Sequence, residues 1–324
     1  MAALLHRAGP LLRLARLTLT FGVVGNLWFV VLWSRELAAR AGAELPPLAL
    51  ELGAGALVSG GLVAFGASLN DSFDLERDRS LHPMRPMASG DVSERTASLV
   101  LAIALLLGLL GAVAFGALGA VIAIGTAFGV VVLISTGRFV PGFGLPLIAT
   151  LYGLHMFVAR PGLAFTWPVV LVVTHSFVSA ALAHTMGGKS PRISRRSWAV
   201  SVAAWFGVVL ALLALGRHRL GGATGAWPMD LPLTAAVLPS VAAAVFAVVV
   251  ARKVRQVGRG PRAAEKVGRY AALWLPLYGS CWLAGAGAWT SAGGLALFTL
   301  FGFAGASTAR EMVGLIDRPV AYRR

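Results

Sequence analysis

Acidic side chains are scarce, and none at all occurs between Arg95 and Asp230. The 324-residue chain carries 13 Asp and Glu against 28 Lys and Arg, and charged residues of either sign make up only 13% of it. A soluble domain is about a quarter charged and about half apolar. Here the apolar share is 57% and the mean hydropathy +0.79, so a soluble globule is excluded. The single cysteine, Cys281, excludes an internal disulfide and any cysteine-based metal cluster. The formal charge of +15, in a chain this apolar, points to basic loops at a membrane surface rather than to nucleic acid.

What the chain has instead is long uncharged runs. A bilayer-spanning helix needs about 20 mostly apolar residues. Single runs of that order lie between Arg16 and Arg35, Glu51 and Asp71, Arg138 and Arg160, Arg160 and Lys189, Arg196 and Arg217, and Asp230 and Arg252. Two runs are too long for one span, Arg95 to Arg138 and Arg269 to Arg310. Each predicts a helical hairpin, with bends at the glycine-rich GALG near Gly116 and SAGG near Gly293. The sum is an all-α integral membrane protein of about nine to ten transmembrane helices, with residues 1–324 as one polytopic domain. Residues 4–17 read as an amphipathic interfacial helix leading into the first span rather than as a cleaved signal.

Lys and Arg divide unevenly between alternate loops. Twenty-three fall on the side of the N-terminus, the 70–96 segment, Arg138, the 189–196 loop, the 252–269 loop and the C-terminus; five (Arg35, Arg40, Arg160, Arg217, Arg219) fall on the other. The positive-inside rule makes both termini cytoplasmic. The seven basic residues of 252–269 suit anionic lipid headgroups. His155 and His175, inside the fifth and sixth spans, read as interhelical hydrogen-bonding residues.

Six of the 13 acids cluster between Asp71 and Glu94, where the second span ends, in LNDSFDLERDRSLHPMRPMASGDVSE. On a helix turning about 100° per residue, Asp71, Asp74 and Asp78 lie within an arc of about 60°, with Asn70 beside them and Glu76 pointing elsewhere. Three like charges at a helix C-terminus, where the macrodipole already disfavours anions, require a cation. Mg²⁺, which takes oxygen ligands from carboxylates and substrate phosphates, fits; so does a solvated helix end with Arg77 and Arg79 as partners.

NDSFDLERD followed by HPMRPMASGDVS resembles the first aspartate-rich motif of the UbiA superfamily of intramembrane prenyltransferases. Asn70, Asp71, Asp74, Asp78, Arg85, Pro86, Gly90 and Ser93 occupy its positions. The resemblance implies a UbiA-like bundle around a central cavity; nine spans are usual there, and the tenth, residues 294–309, is an addition. It implies Mg²⁺ held by Asn70, Asp71, Asp74 and Asp78, with Asp71 and Asp74 catalytic and Arg85 binding substrate. A prenyl diphosphate would ionise, its diphosphate leaving, and alkylate a hydrophobic or aromatic acceptor. Arg138, in ISTGRFVPGFG, matches a basic residue that helps bind diphosphate, although the tyrosine expected near it is missing.

The chain departs from the family at the second aspartate motif, expected after the sixth span. The segment reads ALAHTMGGKSPRISRRSW and holds no acid. His184, Lys189 and Arg192 are the candidates to grip the diphosphate in its place. Three readings follow. The chain is a prenyltransferase, or a membrane terpene cyclase using the same first motif, or a non-catalytic UbiA-fold protein that binds an isoprenoid or quinone. The alanine-, glycine- and arginine-rich composition suggests a plasma membrane.

Overall fold

A computed structural model describes residues 17–81, 83, 85–222 and 226–317. The interfacial helix expected over 4–17, apart from Leu17, lies outside the described residues, as do both termini. Among these, ten helices are 16 residues or longer: α1 (Leu17–Arg40), α2 (Leu48–Phe73), α4 (Glu94–Val113), α5 (Ala117–Val132), α6 (Pro141–Ala159), α7 (Trp167–Met186), α8 (Arg195–Arg219), α9 (Val237–Val257), α10 (Pro261–Gly285) and α11 (Trp289–Asp317). A short α3 (Leu75–Leu81) follows α2. Seven segments are long and apolar enough to cross a membrane, namely α2, α4, α5 with its extension to Gly137, α6, α7, α8 and 233–257; Trp289–Gly305 is a shorter apolar stretch.

Local signals set the helix boundaries. Ser93 and Ser194 cap α4 and α8 by accepting from the Thr96 and Ser197 amides. Pro141, Pro168 and Pro261 sit in first turns, where a missing N–H costs nothing. The α4–α5 hairpin turns at Gly116, whose φ is +91°. The second hairpin bends elsewhere than the sequence suggests. It turns at Gly287 (φ +79°), and Gly293 and Gly294 lie inside α11. Both segments offer glycines, and the one that adopts the left-handed conformation is set by where α11 docks on α10 and α1. The basic stretch 252–269 is likewise mostly helical: α9 runs to Val257 and α10 starts at Pro261.

Lipid tails are as apolar as leucine, so these helices associate through close van der Waals fit. α2 and α4 approach through glycine: a Cβ on Gly61 would lie 2.5 Å from the Ala104 carbonyl oxygen and 2.6 Å from the Gly108 Cα. α10 runs through the interior against α1, α7, α9 and α11. The main core joins α1, α6, α7, α10 and α11 through residues such as Phe29, Met156, Val169, Leu275 and Leu283. Far from the aspartates, Phe165 packs on Trp33, Trp227 and Trp282 at 5.1–5.3 Å between ring centroids. His175 bonds Tyr278 and the Ala271 carbonyl, and His155 bonds Ser59, so both histidines link neighbouring helices.

Polar contacts sort the loops into two ends. At one, Arg35 pairs with Glu51, Arg40 donates to the Ala286 carbonyl (3.0 Å), and Arg219 donates to that of Leu163 (2.8 Å). At the other, Arg138 pairs with Asp74, Ser201 bonds the Gly142 carbonyl (3.2 Å), and Gly187 packs beside Ala264. This second end carries the aspartates and the basic loops.

Candidate functional site

The site is built on a broken helix. α2 ends at Phe73, and Asp74 caps it with φ −96° and ψ 2°. The hydrogen-bond ladder continues across the break: the Asp74 amide donates to the Asn70 carbonyl (3.0 Å) and the Asp78 amide to that of Asp74 (2.7 Å). The angular spacing of a continuous helix is therefore nearly kept. Asp71 is 5% exposed and Asp78 3%, Asp74 is partly buried, and Glu76 and Arg77 are exposed. Three carboxylates face inward along one stripe, and the Asn70 amide lies beside Asp71, 3.5 Å from its Oδ1.

Buried charges need partners, and two arginines from different elements supply them. The loop after α3 is held by an apolar cluster of Leu75, Met87, Val92 and Ala97. It is folded back by bonds from the Val92 amide to Pro86 (2.9 Å) and from the Ser89 amide to Arg85 (2.8 Å), with Gly90 at φ +82°. Arg85 is thereby returned to the helix, where it pairs with Asp78 and lies 3.9 Å from Asp71. The second arginine comes from the far end of α5. A π-helical turn, Leu133–Gly137, delivers Arg138, whose guanidinium pairs with Asp74 and stands 4.7 Å over the Phe139 ring and 5.8 Å from that of Phe73. Its Nε is buried without a hydrogen-bond partner.

This turn depends on two glycines: a Cβ on Gly144 would fall 2.1 Å from the Gly137 carbonyl oxygen. Phe139 is a site residue that sequence reasoning passed over. It is adjacent to the conspicuous charge and presents a ring where a tyrosine was sought.

The other sequence candidates sit in the last turn of α7 and on the loop that follows it. His184, in that last turn, ties the loop down, its Nε2 3.0 Å from the Pro191 carbonyl. Lys189 and Arg192 are exposed. The loop carries no acid.

Mg²⁺ can be tested against these residues. The donor chemistry suits it, because the inward stripe offers only oxygen ligands from carboxylates and an amide. The arrangement found is different. Among the described residues no three His, Cys, Asp or Glu side chains gather as a metal-binding group, because Asp74 and Asp78 are each drawn onto an arginine.

Residues 27–141, which include the aspartate stripe and both arginines, match the UbiA prenyltransferase family. No curated protein matches the chain in sequence. Among solved structures, a digeranylgeranylglyceryl phosphate synthase is similar over 86% of this chain and 98% of its own, at 19% identity and a TM-score of 0.53. A UbiA homologue from Archaeoglobus fulgidus, bound to GPP and Mg²⁺, aligns over 91% of this chain and 98% of its own, at 17% identity and a TM-score of 0.44. The family match is confined to residues 27–141, and across most of its length this multi-pass membrane protein shares the fold of that synthase.

Proposed function

We propose that the protein is an intramembrane prenyltransferase, with its diphosphate site in the cleft between Asp71, Asp74, Asp78, Arg85 and Arg138. The observation that carries this is the pairing itself. Two arginines from separate elements converge on three inward carboxylates at the membrane edge. Arginine presents a planar fork of donors that suits phosphate oxygens as well as carboxylates. The five groups sum to one negative charge, and an anionic diphosphate arriving with Mg²⁺ would exchange partners with them, phosphate to arginine and metal to carboxylate, at little electrostatic cost. Arg85 and Arg138 would pass to the phosphates and leave the carboxylates to the cation.

Mg²⁺, held by Asp71, Asp74 and Asp78 with Asn70 beside them, would supply charge neutralisation for the departing diphosphate. Asp71 and Asp74 are the acids assigned to the reaction. Lys189 and Arg192, on the acid-free loop, add positive charge where the family's second aspartate motif is expected; His184 holds that loop in shape. The apolar interior excludes water from the allylic cation and admits a hydrophobic or aromatic acceptor. The aspartate end faces the cytoplasm of a plasma membrane, by the distribution of basic residues.

A second reading, a non-catalytic isoprenoid or quinone binder, is favoured by the missing acids of the α7–α8 loop. One titration separates the two. Purified protein is given geranylgeranyl diphosphate with and without Mg²⁺, and diphosphate release is followed in the wild type and in Asp71→Ala/Asp74→Ala. Mg²⁺-dependent release that the double substitution abolishes supports the enzyme. Binding without release, indifferent to Mg²⁺ and to both aspartates, overturns it.

A further inference from the structure

Deep in the bundle, the junction of α1, α2 and α6 holds three polar side chains in apolar surroundings. Asn26 is 2% exposed, Ser59 0% and His155 3%. Their neighbours Leu27, Val30, Val58, Met156 and Val158 are all buried. The Ser59 hydroxyl donates to the Val23 carbonyl (3.4 Å) and lies 3.1 Å from His155 Nε2. With its one proton directed at Val23, Ser59 accepts from Nε2–H; the tautomer assigned by these partners leaves Nδ1 as a bare acceptor. Nδ1 has no hydrogen-bond partner in the protein. Neither has Asn26 Nδ2, a donor.

Asn26 follows Val23 by three residues on α1, a rise of about 4.5 Å, so the orphaned donor lies about one helical turn from the carbonyl that Ser59 bonds. Buried polar groups are nearly always satisfied, and each one left unpaired in a membrane interior costs on the order of several kcal/mol. An orphaned donor and an orphaned acceptor at one junction are complementary to a single kind of group. A hydroxyl accepts from one and donates to the other.

We infer that Asn26, Ser59 and His155 form an intramembrane binding site for a neutral, lipid-soluble ligand bearing a hydroxyl, an alcohol or phenol. The hydroxyl oxygen accepts from Asn26 Nδ2 and its proton is donated to His155 Nδ1; Ser59 holds the imidazole in the tautomer that can receive it. The apolar walls exclude a charged ligand. Twelve residues of α2 separate Ser59 from Asp71, about 18 Å of helix. The site is therefore distinct from the diphosphate cleft, and its occupant is anchored away from the bond that breaks there.

The test uses the full chain in lipid nanodiscs, with geranyl-1,4-hydroquinone as probe and its dimethyl ether, which cannot donate, as control. Binding is read by tryptophan fluorescence and by the ¹⁵N resonances of labelled histidine. The expected result is hydroquinone binding at least tenfold tighter than ether binding, with a displaced His155 Nδ1 resonance. Asn26→Leu and His155→Phe should each weaken hydroquinone binding about tenfold, the worth of one hydrogen bond. Asp71→Asn should leave it unchanged even where diphosphate release is lost, which separates this site from the reading above. Should His155→Phe fail to fold, Asn26→Leu and the Nδ1 resonance decide alone. Equal binding of ether and hydroquinone, an unmoved Nδ1 resonance, or a junction satisfied by buried water with no hydroquinone bound would each overturn the inference.

Discussion

Arg138 and Asp74 are 64 residues apart in sequence and form an ion pair at the aspartate end of the bundle. The pair ties the end of α2 to the π-helical turn that closes α5. It is the most distant link in the charged cleft, and it brings to the aspartates a cation that does not belong to their own loop.

Removing that cation should affect both stability and binding. The side chains of Arg138 and Asp74 are 27% and 13% exposed, so the pair is screened only in part. Arg138→Ala should destabilise the protein by about 1–2 kcal/mol, less than the 3–5 of a fully buried pair. It should also weaken prenyl diphosphate binding by about tenfold, one lost charge-assisted hydrogen bond. Arg138→Lys should recover most of the stability but little of the affinity, because an ammonium lacks the planar fork that stacks on Phe139. Thermal unfolding in detergent and a substrate titration read the two effects separately. An alanine variant that binds diphosphate normally would make Arg138 a structural anchor.

Arg85 and Asp78 should behave as a coupled unit. Asp78→Asn and Arg85→Gln each leave the other partner charged in a site where Asp78 is 3% exposed. The double variant should be more stable than the sum of the single losses by about 1–3 kcal/mol, the range for groups in one ion-pair network. A double-mutant cycle on unfolding free energies measures this. Additive losses would mean that Arg85 serves Asp71, 3.9 Å away, as much as Asp78.

Much of this was legible from residue spacing. Uncharged runs located the ten long helices found among the described residues, because a long run without charge suits an apolar helix, and the angular spacing of Asp71, Asp74 and Asp78 survived a real break at Asp74 because the i to i+4 bonds continue through it. Two things could not be read. Gly287 and Gly293 are equivalent as letters, and only docking decides which adopts φ +79°. The destination of Arg138 was also hidden, because a lone arginine after a span reads the same whether it anchors in headgroups or crosses to Asp74. The partners of His155 and Asn26 are likewise a matter of which helices meet.

The turn that delivers Arg138 should be intolerant of a single methyl group. At Gly144 a Cβ would meet the Gly137 carbonyl oxygen at 2.1 Å, and that atom is backbone, which cannot rotate away. Gly144→Ala should cost about 1–3 kcal/mol, as overpacking does, and should lower diphosphate affinity by displacing Arg138. Gly125→Ala, in open space on α5, is the control and should change neither.

The α7–α8 loop, which carries no acid, offers the sharpest test of the proposed diphosphate site. If its cations take over diphosphate binding, Lys189→Ala and Arg192→Ala should each raise the KM for prenyl diphosphate about three- to tenfold with kcat nearly unchanged, the pattern of lost binding that is uniform between ground and transition state. The effect should shrink as salt rises, since both side chains are exposed and screened at a Debye length of about 8 Å under physiological ionic strength. His184→Asn can still donate to the Pro191 carbonyl and should be mild, whereas His184→Leu should loosen the loop and raise KM as the alanines do. Steady-state kinetics at two ionic strengths on these four variants decide the matter. A KM unmoved by Lys189→Ala and Arg192→Ala together would return the loop to a basic anchor at the membrane surface and leave phosphate binding to Arg85 and Arg138.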